Sequence, residues 1–189
     1  RCIPESGILY GSTLKRCRID ISPGAAVLFP LLYFLDGSGW FSAVLPAVIF
    51  HECGHCIAAW SCGGRILSLR MDMTGLCLNV TPFSSPFAEA LCAAAGPLCG
   101  LLWAAACSAF SGAWWMRCRE ISLYFSFCNL LPAQPLDGGR ILYALCGSKT
   151  TVRIVSICTG GGCLVLALLL RRWGLALPGA WILLAQLTA

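Results

Sequence analysis

The sequence predicts an all-α membrane protein of about six transmembrane helices, with a small interfacial β-hairpin between the second and the third. Three observations lead there. Of 189 residues, 58% are hydrophobic and only 11% are charged, whereas soluble domains carry roughly a quarter charged residues. The mean hydropathy is +0.80, and the apolar residues fall into runs near the roughly 20 residues that a helix needs to cross a bilayer. One stretch between two such runs alternates with a period of two, the repeat of a strand. No polar block is large enough for a second, soluble domain, so residues 1–189 read as a single membrane-embedded domain.

The first apolar run, about Pro23 to Leu35, is short and is expected to tilt little or to begin in the interface. Gly37, Ser38 and Gly39 then form a tight turn. A second span covers about Trp40 to Trp60. From Gly63 to Pro82, Ile66, Ser68, Arg70 and Asp72 alternate with Leu67, Leu69, Met71 and Met73, and Leu76, Leu78 and Val80 follow. This reads as a hairpin turning near Thr74 and Gly75. Sheet edges do not face lipid, so the ribbon must be interfacial or packed against helices. The third span runs from about Phe87 to Phe110 and the fourth from about Ile121 to Cys146 with a break. The fifth covers about Val152 to Leu170 and the sixth about Leu175 to Leu187.

With six crossings and a cytoplasmic N-terminus, nine of the thirteen basic residues fall inside: Arg1, Lys15, Arg16, Arg18, Arg65, Arg70, Arg140, Lys149 and Arg153. Arg117, Arg119, Arg171 and Arg172 fall outside, so the positive-inside rule favours both termini in the cytoplasm. The net charge of +5 is scattered at the ends of apolar segments, not gathered on one face, so no nucleic-acid partner is expected. The stretch to Asp20 leads into a span with no small-residue cleavage site, and no cleavable signal peptide is read there. Most of the 14 cysteines, such as Cys92, Cys99, Cys107, Cys158 and Cys163, sit in apolar runs. They act there as small hydrophobes, and none has the repeated C-x-x-C spacing of a structural zinc site.

The two histidines of the chain both lie in His51-Glu52-Cys53-Gly54-His55, on the second span. Residues four apart share a helix face, so both imidazoles can reach one metal ion. Glu52 projects near the metal's open position, where it could accept a proton from water. A pair of core histidines is the competing reading, but ionisable residues inside a span mark function by default.

A hydrolytic zinc site has three protein ligands and keeps one position for water. The extended H-E-x-x-H-x-x-G-x-x-H pattern would need Gly and His where Ala58 and Ser61 stand, so that soluble protease class is excluded. The remaining candidates are carboxylates and thiolates. Glu5, Asp20, Asp36, Asp72 and Glu120 have polar or surface settings, and Glu89 lies near the start of the third span. That leaves Asp137, in the run from Asn129 to Arg140. Pro132 and Pro135 stop the helix there, and Gly138 and Gly139 permit close backbone approach. Non-helical backbone at membrane depth survives only where it is buried in protein or lines a cavity.

At these residues the sequence resembles the site-2 protease family of intramembrane zinc metalloproteases. His51 to His55 resembles the family's H-E-x-x-H helix, and Asn129 to Gly139 its N-x-x-P-x-x-P-L-D-G-G segment. Ala95-Gly96-Pro97-Leu98 resembles the A-G-P stretch of the helix between them. The resemblance covers the core, about residues 40–147. It implies a three-helix catalytic core and one Zn2+ per chain held by His51, His55 and Asp137. It also implies Glu52 as general base, Asn129 as an aid to substrate or transition-state binding, and a transmembrane or membrane-tethered protein substrate cut within or near the bilayer. The resemblance is expected to be to a form without the PDZ insertion and the cystathionine-synthase-type domain of other members. The chain looks like a minimal bacterial form, similar to sporulation proteases of the cytoplasmic membrane.

Two other readings use the same residues. A membrane metal-binding protein or transporter would want polar residues continuing across the bilayer, and the third, fifth and sixth spans are nearly devoid of them. An inactive scaffold relative would be expected to have lost a ligand or Glu52. Gly96 with Gly100, and Gly160, Gly161 and Gly162, allow close helix packing and are compatible with oligomerisation.

Overall fold

Capping chemistry starts and stops the helices where the sequence turns from polar to apolar. The computed structural model describes residues 18–72, 75–83 and 85–187. A short strand, β1 (Arg18–Ile21), leads into α1 (Pro23–Leu35), whose first turn is closed by Ala25 N–H donating to Ser22 Oγ at 3.2 Å. At about 1.5 Å per residue, the 13 residues of α1 reach roughly 20 Å, short of a bilayer's hydrocarbon core.

Helix α2 (Trp40–Ser61) begins under Asp36, whose carboxylate accepts from the Phe41 amide at 2.5 Å and from the Ser38 hydroxyl at 2.5 Å. These bonds, that from the Ser38 side chain foremost, hold the Asp36 carboxyl below the usual carboxylate range. Arg117 donates to the carbonyl of Ser38 and lies over the Trp40 ring, which ties the expected 37–39 turn to a later helix. Gly63, at φ 73°, ends α2 in the left-handed conformation that glycine tolerates.

The expected hairpin is present as β2 (Ile66–Asp72) and β3 (Gly75–Val80), antiparallel with Leu69 opposite Leu78. Gly75 pairs with Asp72, while Thr74 lies outside the described residues. A third strand joins it: β1 runs parallel to β2, with Ile19 opposite Leu69. Val80 and, just beyond β3, Phe83 pack on Ala58, Ala59 and Cys92, so the sheet rests on α2 and on α3 (Pro86–Cys107).

Helix α3 starts at Ser85, whose hydroxyl accepts from the Ala88 amide at 3.1 Å. The expected fourth span is two helices, α4 (Ala113–Asn129) and α5 (Asp137–Cys146). α4 begins well before Ile121 because Trp115 packs with Trp103 around Ala43, Cys107 and Cys118, and the Trp114 indole donates to Ser42 Oγ at 3.1 Å. Helices α2, α3 and α4 thus pack mutually, and α5 lies against α3.

Helices α6 (Lys149–Leu169) and α7 (Ala176–Leu187) form a hairpin across a 3-10 turn at Trp173–Leu175. A Cβ at Gly160 would meet Leu183 and Ile182 at 3.0 and 3.1 Å, and one at Gly179 would meet the Gly160 carbonyl at 2.9 Å, so these two glycines let the helices approach. Gly161 and Gly162 have nothing within 4 Å of a Cβ, so close packing falls to Gly160 alone in that run. By length and composition α2, α3 and α6 can cross a membrane, and α1 and α7 are shorter apolar helices. Phe34, Trp60, Phe87, Leu102 and Leu169 point outward, which suits a lipid rather than an aqueous surround.

Candidate metal centre

His51 and His55 stand near the middle of α2, and α5 begins at Asp137. All three residues are buried. One carboxylate oxygen of Asp137, Oδ2, lies 3.1 Å from His51 Nε2 and 3.2 Å from His55 Nε2. The two Nε2 atoms are 3.2 Å apart. His51, His55 and Asp137 are the one such group of potential metal ligands found among the described residues.

His55 Nδ1 lies 2.8 Å from the carbonyl oxygen of Cys92, which can only accept, so Nδ1 carries the proton. In neutral His55 that leaves Nε2 with a bare lone pair aimed at a carboxylate and a second imidazole. A proton on His51 Nε2 can satisfy one of these contacts, and a bound cation would satisfy all three atoms at once. A tetrahedral centre with bonds of about 2.0–2.1 Å spaces its ligand atoms about 3.3–3.4 Å apart, close to the observed triangle. The residues present therefore fit a zinc ion.

The surroundings hold the triangle in shape. A Cβ at Gly96 would overlap the His55 ring, at 2.5 Å from Cε1 and 2.8 Å from Cδ2, so that ring occupies the space this glycine leaves. The His51 ring stands edge-on to Phe125 of α4, with centroids 4.9 Å apart. Its Nδ1 is enclosed and has no hydrogen-bond partner among the described residues. The other oxygen of Asp137, Oδ1, faces the Arg140 guanidinium at 3.4 Å. Oδ2 is thereby the oxygen left for an ion.

Glu52 is partly buried and within electrostatic reach of His55, His51, Asp137 and Arg140. Asn129, the last residue of α4, is outside the converging group. Its side-chain amide donates back to the Phe125 carbonyl at 3.0 Å. Sequence reasoning missed two buried polar residues, Ser156 and Gln186, which lie in the fifth and sixth apolar runs and contact the loop before Asp137. Their polarity inside apolar runs was the available signal.

The model of the peptidase M50B-like family matches residues 24–188. The chain belongs to this family, the site-2 proteases. Rip3 proteins of Mycobacterium tuberculosis, from the Erdman and H37Rv strains, are classed among the zinc metalloproteases. Each is 30% identical over 141 residues, which cover 65% of this chain and 35% of the relative. The chain therefore spans about a third of the length of those curated relatives. The site-2 protease from Methanocaldococcus jannaschii superposes with a TM-score of 0.64 at 20% identity, covering 90% of this chain and 89% of that one. At that identity the likeness is one of fold. Family membership and the apolar helices make the chain an integral membrane protein of a zinc metalloprotease family.

Proposed function

We propose that this chain is an intramembrane zinc metalloendopeptidase that cuts a transmembrane or membrane-tethered protein by regulated proteolysis. The convergence of His51 Nε2, His55 Nε2 and Asp137 Oδ2 to within 3.2 Å, next to Glu52 on an apolar helix, carries the reading. His51, His55 and Asp137 hold one Zn2+ per chain. Bound zinc supplies Lewis acidity, which polarises a carbonyl and acidifies water.

Glu52 accepts a proton from the attacking water at its carboxylate and returns it to the leaving amine nitrogen. Asn129 donates a hydrogen bond to the developing oxyanion. One N–H of its amide is engaged by Phe125, which fixes the side chain, and the second remains to donate. A helical substrate hides its carbonyls in backbone bonds and must unwind locally before Glu52 can act on it.

The protein acts as one membrane-embedded unit with its catalytic core at about residues 40–147, in a bacterial cytoplasmic membrane, crossed several times with the N-terminus inside. A transporter needs polar groups continuing along a path. Ser156 and Gln186, the buried polar residues of α6 and α7, are engaged instead with the backbone of Gln134, which favours a closed site. The test compares membranes from cells making the parental chain and the Glu52→Gln variant. A membrane-protein fragment found only with the parental chain supports the reading and names the substrate. Equal cleavage by Glu52→Gln removes the mechanism, and zinc flux in proteoliposomes without any cleavage favours the transporter.

A further inference from the structure

We propose that Ser156 of α6 and Gln186 of α7 are positioning residues for the metal centre, which hold the backbone of Gln134 from two sides and so set where Asp137 presents its carboxylate. The inference rests on reading His51, His55 and Asp137 as zinc ligands.

Gln134 lies three residues before Asp137, in the loop between α4 and α5. Its N–H donates to Ser156 Oγ at 2.9 Å, and its carbonyl accepts from Gln186 Nε2 at 3.0 Å. Both backbone groups of one loop residue are thus held by side chains of two later helices. Ser156 is 0% exposed and Gln186 7%; Ser156 lies on the buried face of α6 with Val152 and Gly160, and Gln186 is the one polar side chain of α7. The Ser156 hydroxyl proton goes to the Val152 carbonyl at 2.7 Å, which leaves an oxygen lone pair for Gln134. Burying such groups is unfavourable unless they are hydrogen-bonded, and here they are.

The grip reaches Asp137 through a short, stiff path. Leu136 N–H donates to Ala133 O at 2.9 Å, and Gly139 N–H to Leu136 O at 3.1 Å. Gly139 lies so close to the loop that a Cβ there would stand 2.5 Å from Gln134 N and from the Ala133 carbonyl carbon. A displacement of Gln134 therefore presses on the first turn of α5, the turn that carries Asp137. A purely structural role, satisfying loop backbone in apolar surroundings, makes a different prediction. Under it, loss of either side chain lowers stability and leaves metal binding alone.

The test uses the full chain, solubilised and stripped of metal, with Ser156→Ala, Ser156→Thr, Gln186→Met and the packing control Leu183→Ala, which packs against Gly160. Zinc affinity is read by competition with a chromophoric chelator, site geometry by the visible spectrum of bound Co2+, and loop order by hydrogen exchange at residues 136–140 before metal is added. Ser156→Ala and Gln186→Met are expected to weaken zinc about 10–100-fold, as outer-sphere changes do, and to speed exchange at 136–140. Ser156→Thr, which keeps the hydroxyl, is expected to bind as the parental chain does. Leu183→Ala is expected to lower the melting temperature with affinity unchanged. Parental zinc affinity in Ser156→Ala and Gln186→Met overturns the proposal. A parental chain that binds no zinc, or an Asp137→Asn variant that binds it equally, overturns the metal centre itself.

Discussion

Gly96→Ala adds one methyl group at the place where α3 makes room for the His55 ring, a proposed zinc ligand. The new carbon would sit 2.5 Å from His55 Cε1, 2.8 Å from Cδ2, and closer still to Nε2. Carbon atoms rest at about 3.5–4.0 Å from one another, so the ring must retreat by about 1 Å, whereas metal–ligand distances tolerate about 0.2 Å. The ring cannot slide sideways, because Nδ1 is tied to Cys92 O at 2.8 Å on the same helix. Either His55 leaves the triangle or α2 and α3 separate, and Nε2 is lost to the metal in both cases. Alanine is favoured over glycine in a helix by about 1 kcal/mol, so the helix itself does not suffer. The variant should lose zinc affinity by more than the roughly 100-fold that bounds outer-sphere changes, or over about 2.8 kcal/mol. Gly100→Ala is the matched control. Its methyl would meet only the hydroxyl of Ser126, which has no hydrogen-bond partner among the described residues and can rotate away. Chelator competition and circular dichroism on the two purified variants make the comparison. Parental zinc affinity in Gly96→Ala, or an equal loss in Gly100→Ala, refutes the reasoning.

Asp137→Asn and His51→Ala should each weaken zinc more than any outer-sphere change, while Glu52→Gln keeps it and loses cleavage. Calorimetric titration of the three variants separates ligand from base. Arg140→Ala frees Asp137 Oδ1 from a 3.4 Å contact that is partly exposed on the arginine side. It should cost no more than about tenfold in affinity, the low end of outer-sphere effects. A loss as large as that of Asp137→Asn would make Arg140 part of the site proper. Because hydrogen bonds lower the Asp36 carboxyl below its ordinary 3.8, its support of the start of α2 is complete above that value and is lost as pH falls through the lower one. Exchange protection of the Phe41 amide should therefore persist into acid beyond the usual carboxylate range, and Asp36→Ala should lack it at every pH.

What was legible in the sequence was local. Four-residue spacing on a helix is enough to bring His51 and His55 to one side, and the broken apolar segment pointed to Asp137 because backbone without helix needs burial. The hairpin followed from its alternation. What lay hidden depends on partners distant in the chain. β1 has only four exposed residues, and its parallel pairing with β2 is made across the whole of α1 and α2, which no short window can reveal. α4 begins early because Trp114 and Trp115 pack on residues of α2 and α3, while Arg117, Arg119 and Glu120 interrupt the apolar pattern that would have marked it. Asn129 could be picked out by residue type, but its bond to the Phe125 carbonyl is set by its place at the end of α4.

Helix α3 shows why a search by residue type stops short of the site. It offers no side chain to the His51, His55 and Asp137 group, yet it holds one of the two histidines at its Nδ1 edge and against the rest of the ring. The Cys92 carbonyl assigns the proton to Nδ1, and the missing side chain of Gly96 gives the ring its place. A Cβ at Gly54, between the histidines, would stand 2.8 Å from the Ala95 carbonyl carbon and 2.7 Å from Cys99 Cβ, so α2 meets α3 nearly backbone to backbone. A backbone carbonyl and two absent methyl groups carry no chemical label. The converging side chains of such a group can be read from the sequence, whereas the scaffold that aims them emerges only when the helices are seen in contact. Enlarging Gly96 should therefore act on zinc before it acts on folding, the reverse of what the apolar composition of α3 alone suggests.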